Sequence, residues 1–486
     1  MTQSRCRDNP LNRAVPTDAF IAPDESNKRD IELLFADAWR RVLNHLSKAS
    51  QRPPMPSAPS TIQMDVMNRD PVPNNVLLDQ LESLLLNSMN QANPNYIGHM
   101  DPMPTTFSII GDMAAAGLNN NMLSVEMSPV LTSLENDLMK LMARYFGLEE
   151  NSGGVLLNGG TLGNLQALAV ARNVALDCHK KGVAVGTKSV ILTSVDAHVS
   201  IQKAAMLLGL GTDSVVSIPV DSHGRMRPEA LKLEVNKAQQ CGTKVMAIVA
   251  TAGTTIVGNI DPLVAIAKIA HEHDIWFHVD AAYGGALQFS SCYRTRLVGI
   301  EFADSIVFNP QKWLFVSRTC VALMFRNLSV LEDHFQIRAP YMLPSTVPNL
   351  GELTVQGTRS TDILKLWLSL SHLGTKGCGT LVEQGCKLAS YADNCVRLRP
   401  YLQSACTPDT NLLCFSRRLH DGDSDIWNQQ LHQYLSEQGF FLSLPTYRGI
   451  RWLRMVLLNP YTTQSTVDRL FDAIDIFSGF STRTSR

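Results

Sequence analysis

The chain has 486 residues, 45% of them hydrophobic, with 43 basic against 44 acidic residues and a formal net charge of −1. That length supports a large core divided into two or three subdomains, and the near-balanced charge gives no electrostatic reason to expect nucleic acid or an anionic membrane as partner. No apolar run reaches the roughly 18 residues of a membrane span, the start of the chain lacks signal-peptide order, and the ten cysteines form no CxxC pair, so a cytoplasmic chain without a disulfide framework or zinc site is expected.

In chain order, residues 1 to about 50 begin polar and turn helical at Asp30–Ala36, where apolar positions recur at helical spacing. Residues 51–60 hold four prolines and read as a linker or extended arm, and a second amphipathic helix is predicted over 76–90. The centre alternates short apolar runs with helical stretches. Strands are predicted at Val155–Leu157, Val190–Leu192, Val215–Ile218, Val245–Val249, Trp276–Val279 and Ile306–Phe308, and helices at 165–177 and 262–273. This order is that of an α/β domain with a mostly parallel sheet. After Trp367 a helix-rich tail with strand-like pieces at 412–415 and 450–456 reads as a smaller α+β domain. The expected division is 1–115, 116–375 and 376–486. His271 and His273 stand two apart on a predicted helix, hence on different faces, and are not read as metal ligands.

Ligands of open α/β sheets sit at the carboxyl ends of strands, and several chemically capable residues follow those ends. Leu157-Asn158-Gly159-Gly160-Thr161 is a strand, a glycine turn and a helix start, suited to an anion; it lacks both GxGxxG spacing and a Walker lysine, which argues against dinucleotides and ATP. Asp196-Ala197-His198 follows the next strand, Thr251-Ala252-Gly253 another, and Asp280-Ala281-Ala282 ends the apolar run Trp276–Val279. Asn309-Pro310-Gln311-Lys312-Trp313 ends Ser305–Phe308 and carries the strongest signal, because a lysine in apolar surroundings has a lowered pKa and a nucleophilic amine able to form a Schiff base. Asp280 and Lys312 are far enough apart for one crossover between parallel strands. Pyridoxal 5'-phosphate requires such a lysine for its aldehyde and an acid against its ring nitrogen.

From Asn95–His99 to Leu364–Trp367 these motifs, in this order, resemble the group II pyridoxal-phosphate-dependent amino-acid decarboxylases, which include the glutamate, cysteine-sulfinate, diaminobutyrate and aromatic-amino-acid enzymes. The resemblance implies an aspartate-aminotransferase-type (fold type I) architecture, a helical N-terminal arm wrapping a partner in a homodimer, and decarboxylation through Lys312. It further implies phosphate contacts at Gly160, Thr161 and Asn309, a ring-stacking and proton-handling His198, contacts from Thr251 and Ala282, Asp280 against the ring nitrogen, Arg359 on the substrate's α-carboxylate, and His99 in the substrate pocket. The segment 356–359 looks closer to the acidic and diaminobutyrate branches, so an acidic or short polar amino acid is the expected substrate. Two departures stand out. Gln311 occupies the place of the family's histidine before the lysine, and 347–353 has no tyrosine where the family's proton-delivering loop usually has one; Leu350 aligns there, with Tyr341 the nearest tyrosine. These leave open either decarboxylation with another proton donor, such as Tyr341, His198 or Lys312, or a second outcome on the same cofactor, oxidative deamination to an aldehyde or transamination.

Overall fold

The computed structural model describes residues 15–56, 70–340, 342, 347–418 and 424–480, in two units. The first takes the described residues up to Tyr96 together with Gly439–Phe441. It holds α1 (Lys28–Ser47) and α2 (Asn74–Leu86), joined by Arg41, which reaches Asp79 at 3.0 Å and Glu82 at 2.6 Å. Phe441 stacks on Tyr96 with ring centroids 5.0 Å apart.

The second unit, residues 97–438 and 442–480, opens with α3 (Thr106–Leu118) and α4 (Pro129–Tyr145), then β1 (Gly153–Leu157), α5 (Gly160–Leu176), β2 (Ser189–Ser194), α6 (Ser200–Leu207), β3 (Val215–Ile218), α7 (Pro228–Gln240), β4 (Lys244–Thr251), α8 (Leu263–Glu272), β5 (Trp276–Asp280), β6 (Ser305–Phe308) and β7 (Val321–Phe325). The seven strands form one sheet in the order β1-β7-β6-β5-β4-β2-β3. All six predicted strands are present and run the same way; β7, which the sequence reading did not single out, is antiparallel to both its neighbours β1 and β6. Apolar helices cover both faces, as an all-buried parallel core requires. Successive residues of β2 show it: Ile191 packs with Leu168, Ile201 and Met246, whereas Leu192 belongs to the cluster containing Leu231, Ile248 and Ile266.

The chain continues through α9 (Ser329–His334) and α10 (Ile363–Arg397), which is broken at Gly374 (φ 62°, ψ 169°). Then come β8 (Leu402–Ser404), β9 (Leu412–Arg417), α11 (Ser424–Glu437), the short pair β10 (Thr446–Tyr447) and β11 (Ile450–Arg451), β12 (Leu453–Val456) and α12 (Gln464–Ser478). Strands β12, β9 and β8 make a small antiparallel sheet. No helix among the described residues is long and apolar enough to cross a membrane.

Because β1, β2, β4, β5 and β6 point in one direction, the segments that follow them emerge along one edge of the sheet. Thr251 and Asp280 are register partners across β4 and β5, and Asp280 faces Val307 on β6. The sheet itself therefore brings together groups that the sequence separates by scores of residues.

Candidate active site

Along that edge lies a cavity of about 210 Å³ lined by Gly160, Thr161, His198, Thr251, Asp280, Ala282, Asn309 and Lys312, together with Met100, Asn164, Tyr283 and Gln311. Eight of the ten residues singled out in the sequence thus stand around one space; His99 and Arg359 do not line it.

Lys312 sits in the connection from β6 to β7. Its own N–H donates to the Asn309 carbonyl at 2.9 Å, and the adjoining Trp313 is fully buried and stacks on Tyr283 with centroids 5.0 Å apart. Burial lowers the lysine pKa, the Asp280 charge opposes that, and the Arg454 charge adds to it. The net effect is an amine more readily neutral than an exposed lysine. Gln311, in the place where a histidine was expected, accepts the Cys320 N–H on its Oε1 at 2.6 Å and so closes the base of this connection.

Asp280 ends β5 nearly buried. Its Oδ1 accepts the Ala282 N–H at 3.1 Å and its Oδ2 accepts the Asn164 amide at 2.8 Å. His198 lies on the segment after β2; its pKa is lowered chiefly by burial, with Asp280 acting in the opposite sense. At the other end of the cavity Gly159 adopts φ 133°, a conformation that favours glycine, and α5 starts at Gly160 with no side-chain cap. An uncapped helix start attracts an anion through its N–H groups and dipole. A Cβ on Gly160 would come within 2.9 Å of Asn309 Nδ2, so a side chain there would fill the cradle.

The residues present fit pyridoxal phosphate on one structural ground in particular. Thr251 Oγ1 and Asn309 Oδ1 are buried and have no hydrogen-bond partner among the described residues, and both residues line the cavity. Buried polar atoms are rarely left so; Thr251 Oγ1 can donate to a ligand in this cavity, and the Asn309 amide offers its NH2 to an anion beside Gly160.

Arg359 is a correction. It is buried against Glu135, Nη2 to Oε1 3.0 Å, and donates from Nη1 to the Leu156 carbonyl at 2.8 Å. Its charge is neutralised inside the protein and does not face the cavity. The arginine that stands beside the site is Arg454 on β12, which the sequence reading missed. It is buried, donates to the carbonyls of Gly98 (3.1 Å) and Thr255 (2.6 Å) and to Ser443 Oγ (2.8 Å), and its Nη2 lies 3.2 Å from His99 Nδ1. His99 is itself exposed; its neighbour Met100 takes the place in the cavity wall. A signal for Arg454 existed: a charged residue within the apolar run 450–456 calls for the same explanation as Lys312. Leu350, aligned where a tyrosine was expected, is 2% exposed in a single helical turn, Leu350–Glu352. Tyr341 lies outside the described residues.

The sequence profile of the pyridoxal-dependent decarboxylase conserved domain matches residues 61–418. The L-2,4-diaminobutyrate decarboxylase of Rhizobium meliloti (strain 1021) is 33% identical over 80% of this chain and 79% of its own, and the cysteine sulfinic acid decarboxylase of Mus musculus is 30% identical over 82% and 85%. The crystal structure of mouse CSAD in apo form is 26% identical, covers 93% of this chain and 99% of its own, and superposes with a TM-score of 0.85.

Proposed function

The chain belongs to the pyridoxal-dependent decarboxylases, and from that premise we propose that its substrate is an acidic or short polar L-amino acid, with Lys312, Asp280 and His198 as the groups that act on it. The enzyme is a pyridoxal-phosphate-dependent amino-acid carboxy-lyase. The substrate class rests on its similarity to enzymes named for cysteine sulfinate and for 2,4-diaminobutyrate, both short chains with a polar end.

The observation that carries the assignment of roles is the convergence of Lys312, Asp280 and the two unpartnered atoms, Thr251 Oγ1 and Asn309 Oδ1, on one cavity. When bound, the cofactor supplies a cationic ring that accepts the electron pair left behind as carbon dioxide departs. Gly160, Thr161 and Asn309 would hold its phosphate at the start of α5. Asp280, fixed by two donors, would set its carboxylate against the ring nitrogen and favour the protonated form. Lys312 would take the aldehyde through its amine, Ala282 keeps the wall beside Asp280 thin, and His198 would cover the ring. Arg454 takes the role first expected of Arg359: its buried planar guanidinium, bonded to the carbonyl of the cavity-lining Thr255, suits the carboxylate of an amino acid.

We also propose a cytoplasmic homodimer. Leu33 and Phe35 on α1, and Leu77, Leu84 and Leu86 on α2, are exposed, and apolar residues on an arm of this kind suit a partner subunit. The division at 1–115, 116–375 and 376–486 is kept as a proposal for how the chain is organised, its last boundary lying beside the break at Gly374.

Purified enzyme loaded with cofactor, offered the common L-amino acids plus 2,4-diaminobutyrate and cysteine sulfinate, tests this by released carbon dioxide and amine. Release only from aromatic or aliphatic substrates rejects the proposed class. A second reading, aldehyde formation or transamination, is favoured by one observation, the burial of Leu350 where the family's loop tyrosine is expected. Peroxide and ammonia, or a keto acid, in place of stoichiometric amine would select it.

A further inference from the structure

The bond from Asn164 to Asp280 belongs to a longer chain of hydrogen bonds that runs from the cavity wall into the interior. Asn164, on the first turns of α5, is 1% exposed. Its Nδ2 is 2.8 Å from Asp280 Oδ2 and 2.8 Å from Ser200 Oγ, and its Oδ1 is 3.0 Å from His278 Nε2. Ser200 Oγ lies 2.8 Å from His198 Nδ1, and the Ser200 N–H reaches the same ring nitrogen at 3.2 Å. On the far side His278 Nδ1 is 2.8 Å from Ser305 Oγ, which is 2.9 Å from Trp276 Nε1.

Counting donors and acceptors leaves one self-consistent arrangement. An ionised Asp280 only accepts, so the atom of Asn164 that faces it must be the amide nitrogen. That nitrogen has two protons, one for Asp280 and one for Ser200. Ser200 Oγ accepts from Asn164 and has a second lone pair to spare, but the Ser200 N–H, which can only donate, points at His198 Nδ1, so that ring nitrogen accepts and the hydroxyl turns its single proton to it. His198 Nδ1 is then the acceptor, and the ring's proton in its neutral form resides on Nε2. At the other end the Asn164 carbonyl requires a donor, so His278 carries its proton on Nε2. Indole nitrogen donates only, so Trp276 gives its proton to Ser305 Oγ, whose own proton goes to His278 Nδ1.

We propose that Asn164 is a positioning residue that joins Asp280 to His198, orienting the carboxylate toward the cavity while, through Ser200, it keeps His198 in the Nε2–H form. The inference rests on the role given to Asp280 above. It gives the floor of the site a fixed polarity: one amide connects the acid that serves the ring nitrogen with the imidazole on the segment after β2.

The test uses the holoenzyme labelled with ¹⁵N in its histidine rings, with the two signals identified from His198→Gln and His278→Gln samples. Protonated Nε2 and bare Nδ1 are expected at both residues; a proton on Nδ1 of either one in the unaltered chain overturns the proton order, the variants serving only to tell the two signals apart. Asn164→Leu and Asn164→Asp then probe the connection through cofactor affinity. Loss of a hydrogen bond to a charged group corresponds to roughly tenfold weaker binding or more, so Leu is expected to weaken the cofactor about tenfold, and Asp, which sets a second carboxylate against Asp280, to weaken it further. A residue that only fills space predicts the reverse, because Asp matches the shape of Asn, and cofactor affinity preserved in Asn164→Asp overturns the proposal. Failure of borohydride to fix cofactor to the unaltered chain would instead reject the role of Lys312 and leave the histidine measurement standing.

Discussion

Arg359 and Glu135 meet as a buried ion pair, Nη2 to Oε1 at 3.0 Å, with side-chain exposures of 2% and 1%. Both also hold the Leu156 peptide of β1: Glu135 Oε1 accepts its N–H at 3.0 Å and Arg359 Nη1 donates to its carbonyl at 2.8 Å. Removing one member leaves the other charged, buried and alone, at a cost of about 3–5 kcal/mol. Arg359→Met is therefore expected to lower the melting temperature sharply, and adding Glu135→Gln, which removes the stranded charge and still accepts from Leu156, to recover part of the loss. A stable Arg359→Met enzyme with only a raised KM would return Arg359 to the substrate.

Arg454 gives the contrasting result. Arg454→Lys keeps the charge and loses the planar fork, and the loss of a charge-assisted hydrogen bond raises KM roughly tenfold or more. Steady-state kinetics with the best substrate of the panel decides this; an unchanged KM removes Arg454 from substrate binding.

Lys312→Ala is expected to abolish covalent fixation of the cofactor by borohydride, which mass spectrometry of the tryptic peptide reads directly. Asp280→Asn keeps the shape and removes the charge. A nearby opposite charge shifts a pKa by about 1–3 units, so loss of this support is expected to lower kcat by about ten- to a thousandfold while the cofactor remains covalently attached through Lys312.

His278 makes stability depend on pH. It is fully buried, and burial lowers its pKa from 6.5 to about 4, against the pull of Asp280. Between those values the unfolded chain binds more protons than the folded one, so stability rises with pH. The contribution is fully present above about pH 6.5 and is lost as pH falls toward 4, amounting to about 3 kcal/mol across the window. Melting curves of the unaltered protein and of His278→Gln, recorded from pH 4 to 7, check it: the variant's melting temperature should fall less steeply on acidification, and parallel curves would contradict the assignment.

The strand-helix alternation and the residues at the strand ends were legible because each depends on local pattern: an apolar run, a turn, a polar residue at its end. That was enough for β1 to β6 and for the eight residues that line the cavity. Arg359 was misplaced because its partner Glu135 lies 224 positions away, and no local pattern distinguishes an arginine buried against a carboxylate from one waiting for a substrate. Arg454 lies in the strand-like run 450–456 beside a second arginine, Arg451, and nothing local tells which of the two is buried. Strand β7 is buried along its whole length, but its direction against β6 is a fact of topology that composition does not carry. Asn164 lies beyond the glycine turn, three residues after Thr161, and no local pattern marks it, since all its partners come from other strands and helices.

The segment bearing Lys312 is the loop of a β-hairpin. Phe308 of β6 pairs with Ala322 of β7, twelve residues separating the last position of one strand from the first of the other, and Gln311 bridges across to Cys320. Both stems are interior strands of the sheet, paired on both sides, so the loop that carries the lysine is anchored at both ends. Exchange of partners at the amine is left to torsions of its four-carbon stem, and amide hydrogens of β6 and β7 should be among the slowest in the protein to exchange with solvent, with or without cofactor.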